Sequence, residues 1–149
     1  MTQALMCPCK SGTSFLECCS PYLENEKTAP NPLALMRSRY SAYVLEKIDY
    51  LVQTQCHTSD SHEIEAFAKA TYFQNLEILD YGEDFVEFKA YYILDHHQEL
   101  LHEKSFFICE DNIWCYKDGT LFSTQIAFKR NNSCICGSGK KYKKCCALL

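Results

Sequence analysis

The spacing of apolar residues changes once along the middle of the chain, from helical to alternating, and the change falls just after Tyr72. Before it, Asn31-Pro32 supplies a capping side chain and a proline suited to a first helical turn. Leu33, Met36, Tyr40, Tyr43, Val44, Ile48 and Leu51 then recur near helical spacing, with a break or bend expected around Lys47 to Asp49. The polar stretch HTSDSH leads into a second helix carrying Ile64, Phe67, Ala68 and Thr71 on one face. After it, NLEILDYG, FVEFKAYYIL, ELLHEKSFFICE and NIWCYKDG alternate with period two, as in Val86, Phe88, Ala90 and Tyr92. Gly82-Glu-Asp, Asp95-His-His and Glu110-Asp-Asn read as the turns between four strands. Helices first and an antiparallel meander afterwards predict an α+β domain.

Outside this pattern lie two short frames that hold eight of the eleven cysteines. CPCKSGTSFLECC runs from Cys7 to Cys19, and CICGSGKKYKKCC from Cys134 to Cys146. Each reads C-x-C, eight residues, C-C, with Ser-Gly at the same place. Four thiolates close the tetrahedral coordination that zinc prefers, with no position left for water, so such a site is structural and not catalytic. The spacing predicts two zinc ions, one on Cys7, Cys9, Cys18 and Cys19 and one on Cys134, Cys136, Cys145 and Cys146. Gly12, Gly137 and Gly139 suit a chain that folds tightly round an ion. Disulfides are the weaker alternative, because a bond between adjacent cysteines is strained. An iron–sulfur cluster is weaker still, since the spacing departs from ferredoxin patterns.

Composition narrows the class. The 149 residues are 47% hydrophobic and 13% aromatic, enough for a core between the two frames. No run of about 18 apolar residues occurs, so no membrane span is expected. The opening MTQALMCPCK lacks a basic segment followed by an apolar one, so no secretion signal is expected and the compartment reads as cytoplasmic. In a reducing cytoplasm many cysteines point to metal ligands. A formal net charge of -4 argues against a general nucleic-acid binder. Charge is uneven, however: Lys140, Lys141, Lys143 and Lys144 surround the second frame, while the first has Lys10 and Glu17. The four lysines would offset the charge of a four-thiolate site, or dock a partner, or both.

Both frames resemble the SEC-C motif, a small zinc-binding module similar to the extreme C-terminus of the SecA translocation ATPase. That motif often ends in His where both copies here end in Cys-Cys, and Lys10 stands where glycine is usual. With LMRSRYSAYV, IDYLVQT and the late W-x-Y-x-D-G of Trp114, Tyr116, Asp118 and Gly119, nearly the whole chain is similar to the YchJ family of bacterial proteins. The resemblance implies a nuclear-transport-factor-2-like cone, helices against a curved sheet, flanked by SEC-C knuckles. It divides the chain into an N-terminal zinc motif over 1–25, a central domain over 30–130 and a C-terminal zinc motif over 131–149. Cys56, in TQCHTS, stands where the family usually has tryptophan before the histidine of a T-W-H-P segment. A pocket there would be wider or lined differently.

Some relatives of this fold use Asp and His inside the cone for dehydration or isomerisation. Candidates here are Tyr40, Tyr43, Asp49, His57, Glu103 and Tyr116. Each also has a plainer role. Tyr40 and Tyr43 read as core residues with bonded hydroxyls, Asp49 as a helix cap and His57 as a loop histidine. Glu103 beside Lys104 reads as solvated unless it points inward, and Tyr116 as strand packing. Cys109 and Cys115 read as small buried residues, and Cys56 with His57 or His62 as a conceivable third metal site. His96 and His97 are explained by a polar turn, with His102 following in the next strand. The leading expectation is a cytoplasmic zinc-binding adaptor meeting a protein or ribonucleoprotein partner through its lysine-rich C-terminal knuckle. A small hydratase or isomerase working in the cone is the alternative.

Overall fold

The computed structural model describes residues 3–124 and 129–149; residues 1–2 and 125–128, inside the 1–25 and 30–130 segments, lie outside the described part. Helices α1 (Ser20–Leu23), α2 (Pro32–Val44), α3 (Ile48–Gln53) and α4 (Ser61–Ala70) precede strands β1 (Thr71–Tyr81), β2 (Phe85–Leu94), β3 (His97–Glu110) and β4 (Ile113–Phe122). The strands form one antiparallel meander in the order β1-β2-β3-β4. This is the α+β architecture expected from the change of period.

Local chemistry sets the boundaries. Asn31 Oδ1 accepts the Ala34 N–H at 2.8 Å and Pro32 opens α2, while Asp60 Oδ1 accepts the His62 N–H at 2.8 Å to open α4. The expected break near Lys47 is a Schellman ending: Glu46 takes φ 56°, the Lys47 N–H reaches Ala42 O and the Glu46 N–H reaches Tyr43 O. Asp95-His96 and Asp111-Asn112 have positive φ at both positions, the geometry that matches the twist of a two-residue hairpin. Thr71, expected on the second helix, begins β1 and caps α4 through Phe67 O. Register shifts at Phe73/Asn75, Ile78/Asp80 and Phe106/Phe107 are bulges, which bend a sheet and wrap it round the helices.

Helix α2 is buried nearly all round, including Leu35, Met36, Ser38, Arg39, Tyr40, Ser41 and Ala42. A helix of that kind needs cover on every side. The sheet supplies one side and the first cysteine frame another: Cys7, Cys9 and Cys19 share one apolar cluster with Leu35, Leu51 and Val86. The N-terminal knuckle is therefore continuous with the central core and not an appendage to it. By contrast the second frame forms a separate small cluster with Ile93. Ile93 follows Tyr92, so strand alternation puts it on the opposite face of the sheet.

Three cysteine expectations change. Cys56 and Cys115 form a disulfide with Cα atoms 5.2 Å apart, so Cys115 is not a lone buried thiol. Cys56 is thereby removed as a ligand for a third metal site with His57 or His62. Cys109, expected to be buried, is exposed. The bond belongs to a wider clamp, in which the Cys56 N–H reaches Tyr116 O at 2.9 Å and the Tyr116 N–H reaches Thr54 O at 2.8 Å. The segment after α3 thus lies parallel to β4, paired at Gln55 and Tyr116. Because the bridge spans 59 residues, its loss should cost about 2–4 kcal/mol through the unfolded chain. Urea unfolding of a Cys56→Ser, Cys115→Ser double variant measures this; an unchanged midpoint would mean the pair is not bonded in the folded protein.

Candidate metal centres and a buried cavity

The two cysteine frames fold alike. The Cys7 N–H donates to Thr13 O at 2.9 Å and the Cys134 N–H to Lys140 O at 2.8 Å, closing each C-x-C turn. Lys10 at φ 64° occupies the place that Gly137 fills at φ 83°, and Gly12 at 84° matches Gly139 at 79°. Lys10 therefore takes the left-handed backbone that glycine adopts without strain, and the turn is kept. A 3₁₀ turn, Phe15–Glu17 in one copy and Tyr142–Lys144 in the other, brings the C-C pair back. The Ser11 and Ser138 hydroxyls sit 3.2 Å from Cys18 and Cys145 Sγ.

In each frame the four sulfurs lie within 4.8 Å of one another. Cys9 and Cys18 are 3.6 Å apart and Cys18 and Cys19 3.9 Å, with the same two distances in the second copy. Four bonds of about 2.3 Å to a tetrahedral centre require sulfurs about 3.8 Å apart. Each set can hold a metal ion, and the eight cysteines brought together are the eight expected. Hydrogen bonding from Cys19, with help from Ser11, Cys7 and Cys18, outweighs burial and brings the Cys9 thiol down to about 4. Cys18 rises to about 11, chiefly through burial, and Cys19, which donates to Cys9, is pushed up as well. In the second frame burial works against Cys136, but Ser138 and the neighbouring thiols bring it down to about 6. A cluster in which one thiol ionises readily offers a metal its first thiolate, and binding releases protons from the set.

The surroundings of the two sets differ. Arg37 of α2 donates from Nη1 to Cys9 O at 2.9 Å and approaches Cys9 Sγ at 3.9 Å, while Cys7 Sγ meets Ser41 Oγ at 3.6 Å. Sequence reasoning assigned charge compensation here to Lys10 and missed Arg37. Beside the second set, Gln74 Nε2 approaches Cys134 Sγ at 3.9 Å. The side chains of Lys140, Lys141, Lys143 and Lys144 have no hydrogen-bond or ion-pair partner among the described residues.

Between α2, α4 and the inner face of the sheet lies a cavity of about 190 Å³. The cone is hollow. Its walls are mainly aromatic, with Phe73 5.6 Å from Tyr40 and Phe67 5.8 Å from Tyr92, centroid to centroid. Of the six candidates, Tyr40, Tyr43, Glu103 and Tyr116 line it. Asp49 is exposed in the first turn of α3, where the capping position belongs to Lys47, and His57 is exposed in the following loop. Neither lines the cavity. Tyr40, expected to have a bonded hydroxyl, has none among the described residues, and burial pushes its pKa up. Glu103 turns inward, and its Oε1 accepts from Tyr116 Oη at 2.8 Å and Ser105 Oγ at 2.7 Å. Burial first, then the Glu103 charge, raises the Tyr116 pKa.

Gly119 belongs to this arrangement: a Cβ there would stand 2.1 Å from Glu103 Oε1. Only glycine leaves the carboxylate its place. The cavity also contains Arg39, Gln55 and Ser105, which sequence reasoning passed over. Arg39 donates from Nη1 to Leu51 O at 2.9 Å and Thr54 Oγ1 at 2.6 Å, with its Cζ 5.2 Å from the Tyr116 ring centroid. Burial draws its pKa below the ordinary arginine value. The signal available was its place three residues after Met36 and four before Tyr43, on the face of α2 that they share.

A hollow α+β cone with two four-cysteine knuckles defines the class: a nuclear-transport-factor-2-like domain carrying SEC-C motifs. The family description "YchJ, middle NTF2-like domain" matches residues 31–119, and "SEC-C motif" matches 130–148. A UPF0225 protein of Enterobacter sp. (strain 638) is 41% identical, covering 98% of this chain and 99% of the relative. One from Photorhabdus laumondii is 42% identical over 95% and 98%. The chain belongs to the YchJ family. Among solved structures, a SEC-C motif containing protein from Rhodopseudomonas palustris superposes with TM-score 0.71 at 29% identity, over 81% of this chain and all of that one. Another, from Psychrobacter arcticus, gives 0.63 at 29% identity over 96% of each.

Because Cys9 is fully buried beside α2 and Cys136 is not, the two sites should differ in their hold on stability. Cys9→Ser should lower the global melting temperature by about 5 °C or more, as a loss of about 2 kcal/mol would in a chain of this size. Cys136→Ser should remove one metal equivalent and leave that transition nearly in place. Elemental analysis with calorimetry on both variants tests this; equal shifts would show that the two knuckles bear equally on the core.

Proposed function

We propose that the protein is a cytoplasmic zinc-binding adaptor whose C-terminal knuckle docks onto an acidic protein or ribonucleoprotein surface. Zinc is the ion favoured by a closed set of four thiolates. One observation carries the docking role. After Asp118 the chain has no Asp or Glu, yet it holds Lys129, Arg130, Lys140, Lys141, Lys143 and Lys144. All but Lys143, which is half-buried, are exposed. The rest of the chain carries all the acidic residues of a protein with formal net charge -4. Lysines that served only the metal would turn toward its sulfurs, whereas these four side chains bond to nothing among the described residues. Protein targeting, chaperone action and ribosome contact supply partners of this chemistry, by analogy with the SecA terminus.

A Lys140→Gln, Lys141→Gln, Lys143→Gln, Lys144→Gln variant should keep its zinc and lose partner capture, and capture by the parent should weaken as salt rises. Nuclease treatment separates a ribonucleoprotein from a protein partner. Zinc loss with unchanged, salt-insensitive capture would return the lysines to the metal. The cytoplasmic reading has its own check, since the Cys56–Cys115 bond must persist against reducing thiols. Rapid alkylation of living cells should recover that pair still bonded, and two alkylated thiols in its place would show the bond does not form there.

A second reading, a small hydratase or isomerase working in the cone, is favoured by the inward carboxylate of Glu103. No histidine lines the cavity among the described residues, so its acid–base partner would be Tyr116 and not His57.

A further inference from the structure

Two polar groups in the cavity are incompletely bonded, and together they describe a ligand. Arg39 is 8% exposed and donates only through Nη1, which leaves Nε and Nη2 without an acceptor among the described residues. Glu103 receives both of its hydroxyl donors on Oε1, so Oε2 has none. These atoms are not sealed from solvent, so a ligand with matching groups would replace water beside Phe67, Phe73, Phe88 and Tyr92.

Size limits the candidates. An apolar cavity of about 150 Å³ accommodates benzene, so about 190 Å³ has room for one ring with small substituents. Charge limits them further. The cavity already contains one cation and one carboxylate, with the Tyr116 ring between them: Arg39 packs against its face and Glu103 accepts from its hydroxyl. A ligand with net charge would leave the cation and carboxylate of the cavity unequal. The free atoms are donors at the Arg39 end and an acceptor at the Glu103 end. We propose that the cone binds a small, net-neutral monocyclic molecule with a carbonyl-type acceptor at one end and a hydroxyl-type donor at the other. The acceptor lies toward Arg39, the donor toward Glu103 Oε2, and the ring against the aromatic wall. This rests on the second reading only in taking the cavity as a small-molecule site; it requires no turnover.

The probe is 4-hydroxyacetophenone, which is neutral and carries both groups. It is compared with the anion 4-hydroxybenzoate and the cation tyramine, on the full-length metal-loaded protein, by titration calorimetry and ligand-observed NMR. The neutral probe should bind one per chain and at least about tenfold more tightly than either ion. Glu103→Gln, which can keep an oxygen toward Tyr116 and Ser105 while putting an amide N–H in place of Oε2, should weaken it by about three- to tenfold. Ala90→Leu should abolish binding by filling the space beside a cavity-lining strand. Should Ala90→Leu fail to fold, magnetisation transfer between the probe and the ring protons of Phe73 and Tyr92 in the parent decides whether the probe sits in the cone. Equal or tighter binding of either ion, no neutral binding, or neutral binding that survives a folded Ala90→Leu would overturn the proposal. Binding of the probe supports it whether or not the probe is turned over.

Discussion

Helix α2 has almost no face left for water, and the other elements are arranged round that constraint. Ser41 and Arg37 meet the first cysteine set through Cys7 and Cys9, while Leu35 joins the apolar core. Met36, Arg39 and Tyr40 line the cavity. A helix of thirteen residues thus links a four-sulfur cluster to the polar groups of the cone. Whatever fixes the sulfurs also fixes the turn that presents Arg39 and Tyr40, because buried side chains at that packing density cannot shift independently. The first cysteine set packs against one side of the helix whose other residues line the cavity.

The second knuckle repeats the same covalent frame for a different purpose. Its backbone turns match the first copy within a few tenths of an ångström in their hydrogen bonds, with glycine at 137 where Lys10 accepts the same left-handed φ. Yet its cluster rests on the outer face of the sheet, on Ile93, and its lysine side chains have no partner among the described residues. In the first copy the cation beside the sulfurs is Arg37 of α2, whose Nη1 lies 3.9 Å from Cys9 Sγ. Two copies of one motif have therefore been divided by context into a piece of core and a piece of surface.

The late W-x-Y-x-D-G run acquires a physical meaning once β3 and β4 are paired. Trp114 Nε1 donates to Pro30 O at 3.2 Å, fastening β4 to the segment before α2. Tyr116 holds the Glu103 carboxylate and Gly119 makes room for it. Between Trp114 and Tyr116, Cys115 is bonded to Cys56, so the strand that fixes Glu103 is also clamped to the segment after α3. Cys56 is thereby a covalent tie beside the cavity.

Local rules made much of this legible in the sequence. The C-x-C and C-C spacing specified both sulfur sets because four ligands on thirteen residues can close round one ion without help from the rest of the chain. Period-two alternation through Val86, Phe88 and Ala90, together with the Asn31-Pro32 cap, gave the strands and the start of α2 for the same reason, since neighbours along the chain set them. Arg39, Ser105 and the Cys56–Cys115 bond depended instead on which faces converge after folding. Arg39 becomes part of a site only when β4 brings Tyr116 beside it, and Cys56 finds Cys115 only across 59 residues. Asp49 and His57 had suitable chemistry but lie outside that convergence. Composition and spacing determine what a segment can form by itself; the meeting of α2 with β3 and β4 decided which side chains share the buried space, because that proximity follows from strand register and not from separation along the chain.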